Sequence, residues 1–138
     1  MLKGRCNCGE VEFSLGEAAT NIIVCHCSIC RRATGAAGIP IVVGKNEHFR
    51  WVRGLEHVAT WTKPVGDWTN NFCRRCGSPL PRTNDEHTMA IPAGLFFEGH
   101  EGLRVEHRIF VASKASWDET PVATNCVLHP GAYGTGVG

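Results

Sequence analysis

Three cysteine clusters carry the chemistry this sequence can do. They are Cys6-Asn7-Cys8-Gly9, Cys25-His26-Cys27-Ser28-Ile29-Cys30 and Cys73-Arg74-Arg75-Cys76-Gly77, with Cys126 standing alone. A Cys-x-x-Cys turn aims two sulfurs at one ion about 2.3 Å away, and a glycine just after it lets the backbone curl. Cys73, Cys76 and Gly77 fit that knuckle; Cys6, Cys8 and Gly9 offer a second pair on a tighter turn. Two such pairs make a closed tetrahedral four-sulfur site, whose ion has structural work only and whose binding energy counts as folding energy. All-thiolate ligation favours zinc over magnesium or calcium.

The middle cluster supplies three sulfurs, from Cys25, Cys27 and Cys30. Three protein ligands leave a fourth position for water or substrate, the pattern of catalytic zinc. Two other arrangements use the same residues: a second structural site completed by His26, Cys126 or His129, and a different pairing among the clusters. The expectation is two zinc ions per chain, the second held less firmly because it has fewer ligands. A zinc on three thiolates is a soft Lewis acid suited to a thiol substrate, which loses its proton on coordination. The thiolate could then add to an aldehyde, or the ion could polarise the carbonyl while a thiol attacks from outside. Holding two reactants together supplies much of the gain. His26 lies inside the cluster, and imidazole titrates where a proton shuttle is useful; the alternative is an exposed spacer. Arg31 and Arg32 follow the last sulfur and could bind a substrate carboxylate, the alternative being solvated surface.

The elements that must position these groups read mostly as strands. Residues 11–15 alternate apolar and polar side chains, and 21–25 are β-branched and run into the second cluster. Further strands are expected over 38–43 (with Pro40 marking an edge or bulge), 49–52, 58–61, 68–72, 89–91 and 105–111. One short helix is expected over 28–34. Trp51, Trp61 and Trp68 fall at strand positions and are assigned to the core, as are a packed Trp117 and a buried Cys126, with Lys114 exposed.

At 138 residues, 43% of them hydrophobic and 20% charged, the chain has the size and composition of one globular domain. Its 16 glycines and 7 prolines call for many turns. The domain is expected to span residues 1–129, with 130–138 a flexible Gly-rich tail. The formal net charge of +1 becomes −2 once seven thiolates (minus seven) and two divalent ions (plus four) are counted. Nucleic acid and anionic membrane are therefore poor partners. The segment Met1-Leu2-Lys3-Gly4-Arg5 has no apolar leader character, and no apolar run approaches about 18 residues. A cytoplasmic location is expected, where cysteines serve as metal ligands more often than as disulfides.

Four ordered motifs resemble the glutathione-dependent formaldehyde-activating enzyme (Gfa) family. They are Cys6 to Phe13, with a Cys-x-Cys-Gly and a strand; Cys25 to Arg31, with Gly35 nearby; Phe72 to Ser78; and His107-Arg108-Ile109-Phe110-Val111-Ala112-Ser113-Lys114-Ala115-Ser116-Trp117. The resemblance spans about residues 4–117. It implies a mainly β, tent-like fold of several short antiparallel sheets with little helix, shared with Rab-accessory zinc proteins. It also implies a structural zinc on Cys6, Cys8, Cys73 and Cys76 and a catalytic zinc on Cys25, Cys27 and Cys30. The implied reaction joins glutathione to formaldehyde, formally the reverse of a carbon–sulfur lyase step. One departure touches the substrate pocket: Leu80-Pro81-Arg82 stands where the family has Leu followed by an aromatic. Two competing functions are a zinc β-module that only binds a protein partner and a zinc-containing methionine sulfoxide reductase. The first has no need of the middle cluster. The second needs a redox-active cysteine in a motif that the flanks of Cys126 do not match.

Overall fold

The computed structural model describes residues 1–66, 68–119 and 126–134. In chain order these form β1 (Leu2–Arg5), β2 (Glu12–Leu15), β3 (Ile22–Cys25), α1 (Ser28–Thr34), β4 (Ile39–Lys45), β5 (Phe49–Arg53), β6 (Val58–Thr62), β7 (Thr69–Cys73), β8 (Arg82–Thr83), β9 (Thr88–Pro92), β10 (Phe96–Glu98), β11 (Val105–Ile109) and β12 (Val127–Leu128). The mainly β expectation holds, and each expected element is present to within two residues at its ends. The chain divides into two compact units, Met1–Thr20 with Val42–Gly102, and Asn21–Ile41 with the described residues from Leu103 onward.

In the first unit, an antiparallel sheet runs in the order β10-β1-β2-β5. Its centre is Phe13 on β2, fully buried with Val11 and Leu15. The Phe13 ring lies 5.7 Å from Phe49, 5.9 Å from Phe96 and 6.3 Å from Trp51, centroid to centroid. Gly4 faces Phe13 across the β1–β2 pair, and a Cβ there would sit 2.2 Å from the ring. The glycine that hid β1 from pattern reading is thus what lets the central aromatic ring come this close to the neighbouring backbone.

The two-stranded sheet of β6 and β7 leaves Trp61 52% exposed, against its expected place in the core. Trp51 and Trp68 are half-buried, Trp68 beneath the Arg82 guanidinium at 4.1 Å. A lone hairpin has no packed layer to bury every aromatic it carries.

In the second unit, β3 pairs antiparallel with Ile39 to Ile41 of β4 and parallel with β11, which in turn pairs parallel with β12. These two parallel pairs stand alongside the expected short antiparallel sheets. Parallel neighbours need a long crossover, and period-2 alternation carries no information about direction. The strand expected to reach residue 111 stops at Ile109 because Phe110 is left-handed, with φ 54°. That turn is held by the Phe110 N–H donating to the Gly131 carbonyl at 2.7 Å and the Val111 N–H donating to His129 at 3.0 Å. Residues 130–134 of the expected tail supply further contacts. Pro130 accepts from the Ala112 N–H, and the Tyr133 ring sits 4.6 Å from His107. Residues 135–138 lie outside those described. Trp117 is 67% exposed rather than packed, and Cys126 is half-buried. No helix among the described residues is long and apolar enough to cross a membrane.

Phe13→Ala removes the hub of the aromatic cluster and should cost ~3–5 kcal/mol in denaturant unfolding, as large-to-small core truncations do. An unchanged unfolding midpoint would contradict the packing described.

Candidate metal centres

Both knuckles of the first unit are built alike. A strand ends at the first cysteine, a turn follows, and a left-handed glycine closes it. Cys6 follows β1, and its carbonyl accepts from the Gly9 N–H at 3.0 Å, with Gly9 at φ 81°. Cys73 ends β7, and its carbonyl accepts from the Gly77 N–H at 2.7 Å, with Gly77 at φ 78°. Only glycine adopts this conformation without strain, so the glycine after each pair aims the second sulfur back toward the first. Cys6 and Cys73 are buried in a cluster with Val11 and Leu80, against which Trp51, Val58 and Leu95 pack. Cys8 and Cys76 are exposed. Each knuckle therefore contributes one sulfur anchored in the core and one facing solvent.

The four sulfurs lie within 4.8 Å of one another. Tetrahedral ligands about 2.3 Å from one ion stand about 3.8 Å apart. The Cys6–Cys8 and Cys8–Cys73 sulfur separations are 3.5 Å and 3.8 Å. A thiolate donor set at tetrahedral spacing fits a zinc ion and suits neither magnesium nor calcium. The backbone contributes too: the Val11 N–H points at the Cys6 sulfur at 3.4 Å.

Ser78 links the knuckles. Its hydroxyl oxygen accepts from the Asn7 N–H at 2.9 Å, which leaves the hydroxyl proton to point at the Cys76 sulfur 3.2 Å away. That hydrogen bond is the main reason the Cys76 thiol is held at about 6. Cys8 moves the other way, to about 12: the Glu10 backbone hydrogen bond favours its thiolate but is outweighed by desolvation and by contacts with Cys6, Cys76 and Cys73. Thiols packed this closely cannot all ionise without a cation among them.

In the second unit, the sulfurs of Cys25, Cys27 and Cys30 also lie within 4.8 Å of one another. Cys25 closes β3, and Cys27 caps α1 in extended conformation, its sulfur accepting from the Cys30 N–H at 3.3 Å. Cys30 is buried one turn into the helix, and Gly35, left-handed at φ 68°, ends it. The hydrogen bond to Cys25, with burial, pushes the Cys30 thiol far up. Among the described residues no fourth cysteine, histidine, aspartate or glutamate joins this trio. His129, one candidate to complete it, instead points Nε2 at His107 Nδ1, 3.1 Å away. Cys126 Sγ lies against its neighbour's carbonyl at Val127.

His26 is 3% exposed, so it is not an exposed spacer. Its Nδ1 lies 3.2 Å from the Ala37 carbonyl and its Nε2 3.2 Å from Arg108 Nη1. Desolvation lowers its pKa. Arg31 donates from Nη2 to the Ser113 carbonyl at 3.3 Å, while Arg32 is exposed. Three residues at these centres carried no role in the sequence: Ser78, Arg108 and Asp118. Ser78 and Arg108 lie inside recognisable motifs, but Asn7, the partner through which Ser78 joins the two knuckles, is 71 residues away, and Arg108 is 82 residues from His26. No local periodicity could have paired them.

Acid competes with metal for thiolates, so a ligand with a low pKa keeps its metal to lower pH. Ser78→Ala removes the group that holds Cys76 down. The pH at which zinc leaves the closed site, followed with a chromogenic chelator, should therefore rise. An unmoved midpoint would mean the hydroxyl does not act on the sulfur.

The chain is similar to known proteins in sequence and in fold. A curated Halomonas elongata protein described as a putative glutathione-dependent formaldehyde-activating enzyme is 32% identical over 85 residues, covering 58% of this chain and 54% of its own length. The chain thus spans about half the length of the curated relative it matches. A crystal structure of a Rhodobacter sphaeroides protein superposes with a TM-score of 0.57 at 27% identity, covering 74% of this chain and 90% of that one. The family profile described as glutathione-dependent formaldehyde-activating enzyme matches residues 1–113, which include both cysteine centres. The chain belongs to the glutathione-dependent formaldehyde-activating enzyme family.

Proposed function

We propose that this chain is a zinc-dependent enzyme that joins a small thiol such as glutathione to formaldehyde, using an open site on Cys25, Cys27 and Cys30. The observation that carries this reading is the trio itself: three converging sulfurs with no fourth protein donor among the described residues. Cys6, Cys8, Cys73 and Cys76 hold the other, first zinc, which has a structural role; the zinc of the open trio is the second. The family membership and the name of the Halomonas elongata relative support the same reaction.

A zinc held by the trio supplies an open coordination position where a thiol gives up its proton or a carbonyl is polarised. The remaining work falls to the chain. Cys25 and Cys30 are buried and Cys27 is half-buried, so the trio offers its free side past Cys27. Cys27 is tied to α1 by the Cys30 N–H, which fixes the direction in which its sulfur points. In the reaction the thiol sulfur forms a bond to the formaldehyde carbon, and the carbonyl π pair moves to oxygen. The oxygen takes up the proton that the thiol released, so the product is a hydroxymethyl thioether and nothing is oxidised. Arg32, exposed on α1, is free to meet a substrate carboxylate, whereas Arg31 is engaged with Ser113. Such a contact would orient the substrate and lower KM more than it raises kcat.

Two experiments test the assignment. Cys73→Ser should leave a chain that unfolds or aggregates, while Cys27→Ser should give a folded chain with one zinc by elemental analysis. Equal collapse of both variants would remove the distinction between the centres. In the cobalt-exchanged protein, titration with glutathione should change the sulfur-to-metal absorption at the weaker centre. No response to glutathione or to any other small thiol would instead favour a module that only binds a partner.

A further inference from the structure

The peptide around the open trio is extended, and extended backbone alternates its side chains between two faces. The β3–β11 ladder pairs Ile109 with Cys25 and continues one step further, with the His26 N–H donating to the Ile109 carbonyl at 3.0 Å. Cys27 is still extended, with φ −65° and ψ 159°. Cys25 and Cys27 therefore leave one face, and His26 leaves the other. What fixes His26 fixes the direction of both sulfurs.

His26 is fixed on all sides. Its Nδ1 faces two oxygens, the Ala37 carbonyl at 3.2 Å and Asp118 Oδ2 at 3.5 Å. Its Nε2 faces Arg108 Nη1 at 3.2 Å. A guanidinium can only donate, so Nε2 must carry the lone pair. Two oxygen acceptors require the proton on Nδ1. The surroundings therefore select one neutral tautomer. Both the ring and Asp118 are buried, at 3% and 7% exposure. Lys114 braces the same corner by donating from Nζ to the Asp118 backbone carbonyl at 3.2 Å. Gly38 makes room for the arrangement, since a Cβ there would come within 2.7 Å of the Cys25 carbonyl and 3.2 Å of His26 Nδ1.

We infer that His26, Arg108 and Asp118 form a buried strut that holds the Cys25 and Cys27 sulfurs aimed at one point, making them positioning residues of the open centre and not a proton relay. The inference rests on the reading of the trio as a metal site. A relay needs a ring nitrogen that can reach substrate, and both nitrogens of His26 already have partners on the side of the strand away from the sulfurs. A neighbour that orients a ligand acts on the metal's hold, and loss of one weakens affinity by about 10- to 100-fold.

The test measures zinc transfer to a competing chelator from the fully loaded chain, for wild type, His26→Ala, Arg108→Met and Arg108→Lys. His26→Ala and Arg108→Met should weaken the second zinc about 10- to 100-fold. The first zinc and the shape of the pH–rate profile should be unchanged. Arg108→Lys, which keeps a donor for Nε2, should recover part of the loss. The strut is overturned if both variants hold the second zinc as tightly as wild type. It is also overturned if His26→Ala keeps the metal but loses one limb of the pH–rate profile, which would mark a proton shuttle. Should His26→Ala fail to fold, the Arg108 pair decides the question alone: equal retention by Met and Lys refutes the strut. A wild type that holds two zinc ions and ignores thiols would sink the proposed reaction while leaving the strut intact.

Discussion

Sulfurs gathered within 4.8 Å of one another repel as thiolates, and only a cation among them lets all of them ionise. The rest of the structure is organised around that constraint at two places. In the first unit the chain gathers four sulfurs on the edge of a hydrophobic cluster, with Cys6 and Cys73 packed into it beside Val11 and Leu80. An ion there would tie β1 to β7 across 67 residues of sequence (73 less 6), and closing so long a loop is what makes a metal clip effective. In the second unit the chain gathers three, and no fourth such ligand joins them among the described residues.

The two centres share ligand type but differ in what surrounds them. The closed centre is set by backbone: two strand ends, two left-handed glycines and a serine that bonds to both knuckles. The three-sulfur centre is set by side chains on the far face of its own strand. Its local turn is short, because Cys25, His26 and Cys27 are consecutive, and an extended triplet has no hydrogen bond of its own to hold it. The hydrogen bonds come from β11 and from the 37–38 segment instead. That difference accounts for the different consequences expected of removing a ligand: on the proposed reading, an ion at one centre would hold the fold together and an ion at the other would occupy a fold already made.

Much of this was legible in the residues. Cluster spacing separated four sulfurs from three, and α1 was marked by Cys27 before it and Gly35 after it. Strands with β-branched or alternating residues were found because their pattern is local. What escaped was non-local. β1 carries Gly4, whose purpose appears only beside Phe13. The parallel pairing of β11 with β3 leaves no trace in alternation. The exposure of Trp61 and Trp117 reflects which layers lie over them, which a tryptophan's apolarity cannot report. Arg108 and Asp118 look like ordinary surface charges in sequence, and only the buried imidazole between them gives them a task.

The distinction between a closed and an open centre is the claim on which the functional account stands. Zinc X-ray absorption of the chain loaded with two ions counts the ligands directly. The account predicts an average of about 3.5 sulfurs per zinc at about 2.3 Å, with the remaining half-ligand a light atom that sulfur from added glutathione replaces. Four protein ligands on both ions, unchanged by glutathione, would contradict it.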